Sequence, residues 1–249
     1  MSVPPMRCAE CGFDEADWND MDLVRTLGRT DDLLRHAEAA LPEALATRAA
    51  ALERHVHAVV GIDHAADVAN AHRLLHRCWE IAELRAAAGD LPAEQHGRVE
   101  QLNVSNGGVP KRPVPEIEVG RRGPANDHQR HRRHHGRVWQ ALCLWSAEVI
   151  EALQAEGHPI GYGSAGENVT IRGLDWSAVR MGLVVDIGPV RARLTLPAEP
   201  CAANAEWFTD RDFHRIDHDR HPGWSRWYAT VERGGVVHPD DPVVLAPRS

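Results

Sequence analysis

Hydrophobic and polar positions divide the chain into two textures. Up to about residue 97 the apolar residues recur at helical spacing. Between Asp63 and about Ala88, the residues Ala66, Ala69, Leu74, Leu75, Cys78, Trp79 and Ala82 approximate one stripe of an amphipathic helix. Beyond that point the apolar residues gather in short runs split by glycine and proline. These are Val99–Val104, Ile117–Val119, Ala141–Trp145, Val169–Ile171, Leu183–Ile187, Val190–Leu196, Trp227–Val231 and Val243–Leu245. Runs of this length and punctuation predict β-strands. One helix interrupts them: Ser146 offers an N-cap, Glu148 lies in the first turn, and Gly157 followed by Pro159 closes the segment. Many strands with few helices predict a mainly β fold. It is a barrel with helical insertions, preceded by a small α-helical domain. A doubly wound sheet would need regular alternation of strand and long helix.

Charge reinforces this division. Residues 1–97 carry 9 arginines against 17 acidic residues, whereas 98–249 balance 19 basic against 19 acidic. Such asymmetry marks two units, with a boundary placed at about residue 97 in the polar stretch after Leu91-Pro92. The expected domains are therefore 1–97 and 98–249. No run approaches the ~20 apolar residues that cross a bilayer. Met1-Ser2-Val3-Pro4-Pro5 has neither a basic region nor an apolar stretch of an export signal. The expectation is a cytoplasmic protein without membrane contact, and five cysteines in 249 residues fit a reducing compartment better than a disulfide framework.

The N-terminal part offers two readings. Cys8-Ala9-Glu10-Cys11-Gly12 spaces two thiols for one metal, but no second Cys-x-x-Cys follows. His72 and His76 are four residues apart and share a helix face, with His64 two turns earlier. A zinc site using some of Cys8, Cys11, His64, His72 and His76 is one reading. A solvated face of a His-rich helix is the other. The histidine spacing and the Cys-x-x-Cys-Gly-Phe-Asp opening faintly resemble DinB-like helical bundles.

Four segments of the second part carry unusual chemistry. Asn103-Val104-Ser105-Asn106-Gly107-Gly108-Val109-Pro110-Lys111 runs from a strand into a glycine turn and then to the chain's sole lysine, among 28 basic residues. Asp127-His128-Gln129-Arg130-His131-Arg132-Arg133-His134-His135-Gly136 is dense in base and imidazole. Gly163-Ser164-Ala165-Gly166-Glu167-Asn168-Val169-Thr170 is glycine-rich before a strand, and Glu199-Pro200-Cys201 sets a thiol on a loop after one. A balanced charge and no interleaved aromatics argue against a nucleic-acid patch at the basic cluster. A Schiff base between Lys111 and pyridoxal phosphate lacks its usual large α/β frame.

Together these segments, with the late Gly223-Trp224-Ser225, resemble the MOSC domain from about Arg98 to about Val244. The resemblance implies a MOSC-type β-barrel, a bound pterin molybdenum cofactor, and Cys201 as metal ligand or sulfur carrier. Molybdenum is thiophilic, and a thiolate is favoured by nearby positive charge. The cofactor phosphate calls for ammonium, guanidinium or backbone N–H donors, and Lys111, Arg130, Arg132 and Arg137 are candidates. Asp127, Gln129, Gly166, Glu167 and Asn168 fall on the family's motifs, while Cys143, inside an apolar run, reads as core. Departures from the family are Asn126 and Arg137, where glycine is common, and the lack of the N-terminal barrel segment of amidoxime reductases.

Two activities follow from this resemblance. One is a molybdenum oxidoreductase acting on N-hydroxylated or N-oxygenated small molecules, with His131 or His135 as proton donor. No dinucleotide fingerprint and no iron–sulfur spacing is present, so an external flavin or iron–sulfur donor would be its partner. The other is a carrier of the cofactor or of sulfur, with Cys201 as a transient persulfide.

Overall fold

The computed structural model describes residues 79, 80, 82, 83, 85–87, 89, 91–129 and 138–248. Most of the helix expected between Asp63 and Ala88 lies outside them, as do Cys8, Cys11, His64, His72 and His76. Within them, the described positions between 79 and 87 are helical and Trp79 and Ala82 are buried. The chain divides into two units, residues 1–91 with 247–249, and residues 92–246. The second unit therefore begins ahead of residue 97. The polar residues read as a linker there pair as a strand, Gln95 with Leu245 and His96 with Val244.

Among its described residues, the second unit holds eleven strands and one α-helix. In chain order they are β1 (Gln95–Val104), β2 (Arg112–Val114), β3 (Ile117–Gly120), β4 (Gly123–Pro124), β5 (Leu142–Ser146), α1 (Ala147–Ala155), β6 (Val169–Arg172), β7 (Val184–Ile187), β8 (Val190–Pro197), β9 (Trp227–Arg233), β10 (Gly235–Val237) and β11 (Pro242–Ala246). Seven strands close into a barrel in the order β11-β7-β8-β9-β5-β6-β1, with β1 returning to β11. Closure leaves no unpaired edge on the ring. β2 hangs on β1, and β10, β3 and β4 form a small separate sheet. Every apolar run expected to be a strand is one. The three strands missed, β2, β4 and β10, are short and rich in proline, glycine or exposed residues.

Packing follows the alternation of a barrel wall. Along β8, Val190, Ala192, Leu194 and Leu196 are buried on one face. Arg193 and Thr195, on the other, are buried as well. The wall is covered on that side, since Thr195 Oγ1 donates to the Trp139 carbonyl at 2.6 Å from a 3₁₀ turn at Val138–Gln140. All five residues of β5 are buried, which matches its central place between β9 and β6. Among the described residues no helix is long and apolar enough to cross a membrane.

One pairing shapes the rest: β5 and β6 run parallel, whereas the other ring pairs are antiparallel. Parallel neighbours require a crossover of a dozen or more residues. That crossover holds α1 and then the glycine-rich turn entering β6. Ser146 caps α1 as its sequence foretells. Its Oγ accepts from the N–H groups of Glu148 and Val149 at 3.1 and 3.3 Å and donates to the Glu148 carboxylate at 2.7 Å. Replacing Ser146 with alanine removes those acceptors and is expected to destabilise the barrel unit by ~1 kcal/mol, measured by urea unfolding.

Candidate functional site

The crossover loop meets the end of β1 through Asn168. Its backbone donates to the Cys143 carbonyl at 2.7 Å and accepts from the Asn103 N–H at 2.8 Å. Its side-chain oxygen accepts from the Cys143 N–H at 3.1 Å. Its amide nitrogen donates to the Asn103 carbonyl at 3.3 Å and to Asp127 Oδ2 at 2.9 Å. Asn168 thus stitches β1 to β5 where β6 begins, and its side chain is committed to the protein itself. It positions Asp127.

Asp127 gathers the next layer. Oδ1 accepts from the Ser105 N–H at 2.8 Å, and Oδ2, beside receiving Asn168, pairs with Lys111 Nζ. The pair is secluded, with the two side chains 11% and 4% exposed. An ammonium carries three donors, and Asp127 takes one. The sole lysine is therefore a buried ion-pair partner with donors to spare. Its backbone is pinned as well, with the Lys111 N–H donating to the Gly163 carbonyl at 2.9 Å.

Glycines of the crossover turn serve this packing rather than an open cradle. Gly163 has φ +83°, and a Cβ there would lie 2.5 Å from the Lys111 carbonyl oxygen. Gly166 has φ +94°, and its Cβ would meet Val109 Cγ1 at 2.9 Å. Both spaces are filled by the chain's own atoms. Only glycine accepts such a φ without strain and such an approach without a clash.

Three groups retain unspent polar capacity. Glu167 is fully buried. Its Oε1 accepts from the Gly163 N–H at 2.5 Å and from Thr170 Oγ1 at 3.3 Å, while Oε2 has no partner. Burial pushes its carboxyl above the usual range, against the pull of the Gly163 N–H and the Arg226 and Lys111 charges. Arg226 is 6% exposed. Its Nη1 donates to the Ala165 carbonyl and its Nη2 to the Glu199 carbonyl at 3.4 Å, while Nε has no acceptor. Cys201 is exposed and free. It precedes a 3₁₀ turn at Ala202–Trp207, and its N–H donates to Asn204 Oδ1 at 3.2 Å.

Cys143 is buried where Cys201 is exposed. Burial pushes its thiol up to about 11, with the Arg226 and Lys111 charges lowering it by less. It stays protonated near neutral pH, and a protonated thiol is a poor nucleophile and ligand. Of the other residues singled out, Gln129 is half-buried. Arg130, His131, Arg132, His135 and Arg137 lie outside the described residues, and no group of three or more metal-ligating side chains occurs among those described. Arg226 escaped the sequence reading because it is one arginine in an arginine-rich chain. Its only signal was its position directly after Gly223-Trp224-Ser225.

Comparison with known proteins matches this architecture. The model of the MOSC domain matches residues 131–244. The crystal structure of YiiM from Geobacillus stearothermophilus is similar at 24% identity and TM-score 0.50, covering 61% of this chain and 76% of that one. A crystal structure of a hypothetical protein is similar at 23% identity and TM-score 0.50, covering 62% and 70%. YuaD from Bacillus subtilis shares 15% identity at TM-score 0.49, over 63% of this chain and 98% of its own. The likenesses to YiiM from Geobacillus stearothermophilus and to the hypothetical protein carry the fold. No curated protein matches the chain.

Proposed function

Because residues 131–244 match the MOSC domain, we propose that the chain is a MOSC protein that binds a pterin molybdenum cofactor between the glycine-rich turn and the Cys201 loop, and reduces N-hydroxylated or N-oxygenated small molecules there. The observation that carries the reading is the conjunction of a buried, carboxylate-free guanidinium with an exposed thiol two residues beyond the carbonyl that it holds. Arg226 has no carboxylate partner among the described residues, so its charge favours an anionic ligand. Lys111 adds two uncommitted ammonium donors, and a phosphate is the group that such cations recognise. A soft metal is the natural partner of the one accessible described thiol.

When bound, the cofactor supplies a metal that exchanges two electrons and accepts an oxygen atom. The chain's own residues do the rest. Cys201 Sγ would hold the metal, and Lys111 Nζ, helped by Arg130, Arg132 and Arg137, would hold the phosphate, with Arg226 as a buried positive charge behind them. His131 or His135 delivers a proton from an imidazole N–H to the leaving oxygen. Reduction of a hydroxylamine consumes two electrons and two protons and releases an amine and water. The electrons come from an external flavin or iron–sulfur protein.

The exposure of Cys201 favours one second reading, a carrier that holds the cofactor or a persulfide sulfur and hands it on. One experiment separates the two. Protein purified with its metal content measured for molybdenum and zinc is loaded with cofactor, given a chemical reductant, and followed for amine formation from a hydroxylamine. Amine formed in proportion to bound molybdenum supports the reductase. Molybdenum bound without amine, together with cofactor transfer to an apo-enzyme, supports the carrier. Absence of bound molybdenum after loading overturns both.

A further inference from the structure

We propose that Arg226 is a positioning residue that clamps the Cys201 loop to the glycine-rich turn entering β6, so that thiol and turn keep one geometry. The inference rests on the reading of Cys201 as the reactive thiol, but the clamp itself stands on contacts within the chain. Nη1 donates to the carbonyl of Ala165 in the turn, and Nη2 to the carbonyl of Glu199, two residues before Cys201. Arg226's own carbonyl accepts from the Ala198 N–H at 2.8 Å, which fixes the base of the same loop to the start of β9. A single residue therefore holds the loop by backbone at its root and by side chain nearer its tip.

Charge distribution keeps the clamp free for this task. The nearest acid of the turn, Glu167, directs Oε1 to Gly163 N–H and Thr170 Oγ1 rather than to the guanidinium. Burial, which disfavours its ionised form, weakens its competition for Arg226. The buried guanidinium spends its donors on two main-chain carbonyls from different loops, and only a planar fork reaches both. An ammonium is a point charge and would satisfy one. Among the described residues, the turn is otherwise tied to β1, β5 and Asp127 through Asn168, and to Lys111 through Gly163. The 198–226 connection is tied near its far end, where Trp145 Nε1 donates to the Trp224 carbonyl at 3.0 Å. Further bonds, from Thr209 to His158 and from Arg215 to Glu156, tie that connection to the crossover ahead of the turn, and Arg226 ties Ala165 in the turn to Glu199 beside Cys201.

Amide hydrogen exchange on the full chain without added cofactor tests the clamp, using Arg226→Ala and Arg226→Gln. Residues 163–168 and 198–204 are expected to lose protection together, by roughly tenfold, while β7 and β11 keep theirs. Guanidinium chloride at low concentration should restore both loops in Arg226→Ala, whereas ammonium chloride at equal ionic strength should not. Loosening of one loop alone, equal rescue by ammonium, or unchanged protection in either variant would overturn the clamp. If Arg226→Ala does not fold, Arg226→Gln carries the same comparison of the two loops. Because no cofactor is present, loss of the molybdenum reading leaves this result standing, and the reverse holds as well.

Discussion

Replacing Cys201 with alanine is expected to lower molybdenum per protein by more than about 100-fold, read by elemental analysis of the loaded chain and by loss of metal-linked absorbance. Even outer groups that merely orient a ligand cost 10–100-fold in metal affinity when removed, so the ligand itself should cost more. The paired control is Cys143→Ala. That thiol is buried within β5 and pushed up to about 11 by burial. Its side chain makes no polar contribution that the site needs; what Asn168 uses is the Cys143 backbone, which alanine retains. Molybdenum should therefore stay at the wild-type level in Cys143→Ala. Retention of molybdenum in Cys201→Ala would remove Cys201 from the metal site and shift attention to a residue outside those described.

The second large effect concerns the pair beneath the turn. Removing one partner of a buried ion pair leaves an uncompensated charge and costs roughly 3–5 kcal/mol. Asp127→Ala should lie at the upper end, because Lys111, the Ser105 N–H and the Asn168 amide all lose their acceptor. Lys111→Met should cost less, since the carboxylate keeps two hydrogen bonds and the aliphatic stem still packs. Urea unfolding followed by tryptophan fluorescence gives both values. The double variant Lys111→Met, Asp127→Ala should lose less than the sum of its parts, because no charge is then stranded. Additive losses would mean that the two groups do not depend on each other, despite their contact. In the loaded protein, Lys111→Met should also weaken cofactor retention, whereas Ser146→Ala, remote in kind, should not.

These two expectations differ in how visible their residues were. Cys201 announced itself by following Glu199-Pro200 after an apolar run, a local pattern. Lys111 was visible as the sole lysine, but its partner was not. Asp127 lies sixteen residues away, across a turn, and only the folded chain brings the carboxylate to the ammonium. Asn168 shows the same limit. It falls on a family motif, and only the fold shows that its side chain bonds to Cys143, Asn103 and Asp127. Gly166, which falls on the family's motifs, and Gly163 beside it leave room for the Val109 side chain and the Lys111 carbonyl, a packing no local pattern shows.

By itself the sequence determined the strands, the capped helix and the mainly β class. Those depend on the spacing of apolar residues, on glycine and proline punctuation, and on a serine cap, all of which act over a few residues. It also determined the family resemblance and the accessible thiol. Only the tertiary structure decided that the ring closes through β1 and β11, that β5 and β6 run parallel, and that Arg226 joins the loops at Ala165 and Glu199. Hydrogen-bond partners across such separations depend on strand register, and no local pattern encodes it. In a chain with 27 arginines, the two carbonyls that Arg226 joins, rather than its residue type, distinguish it.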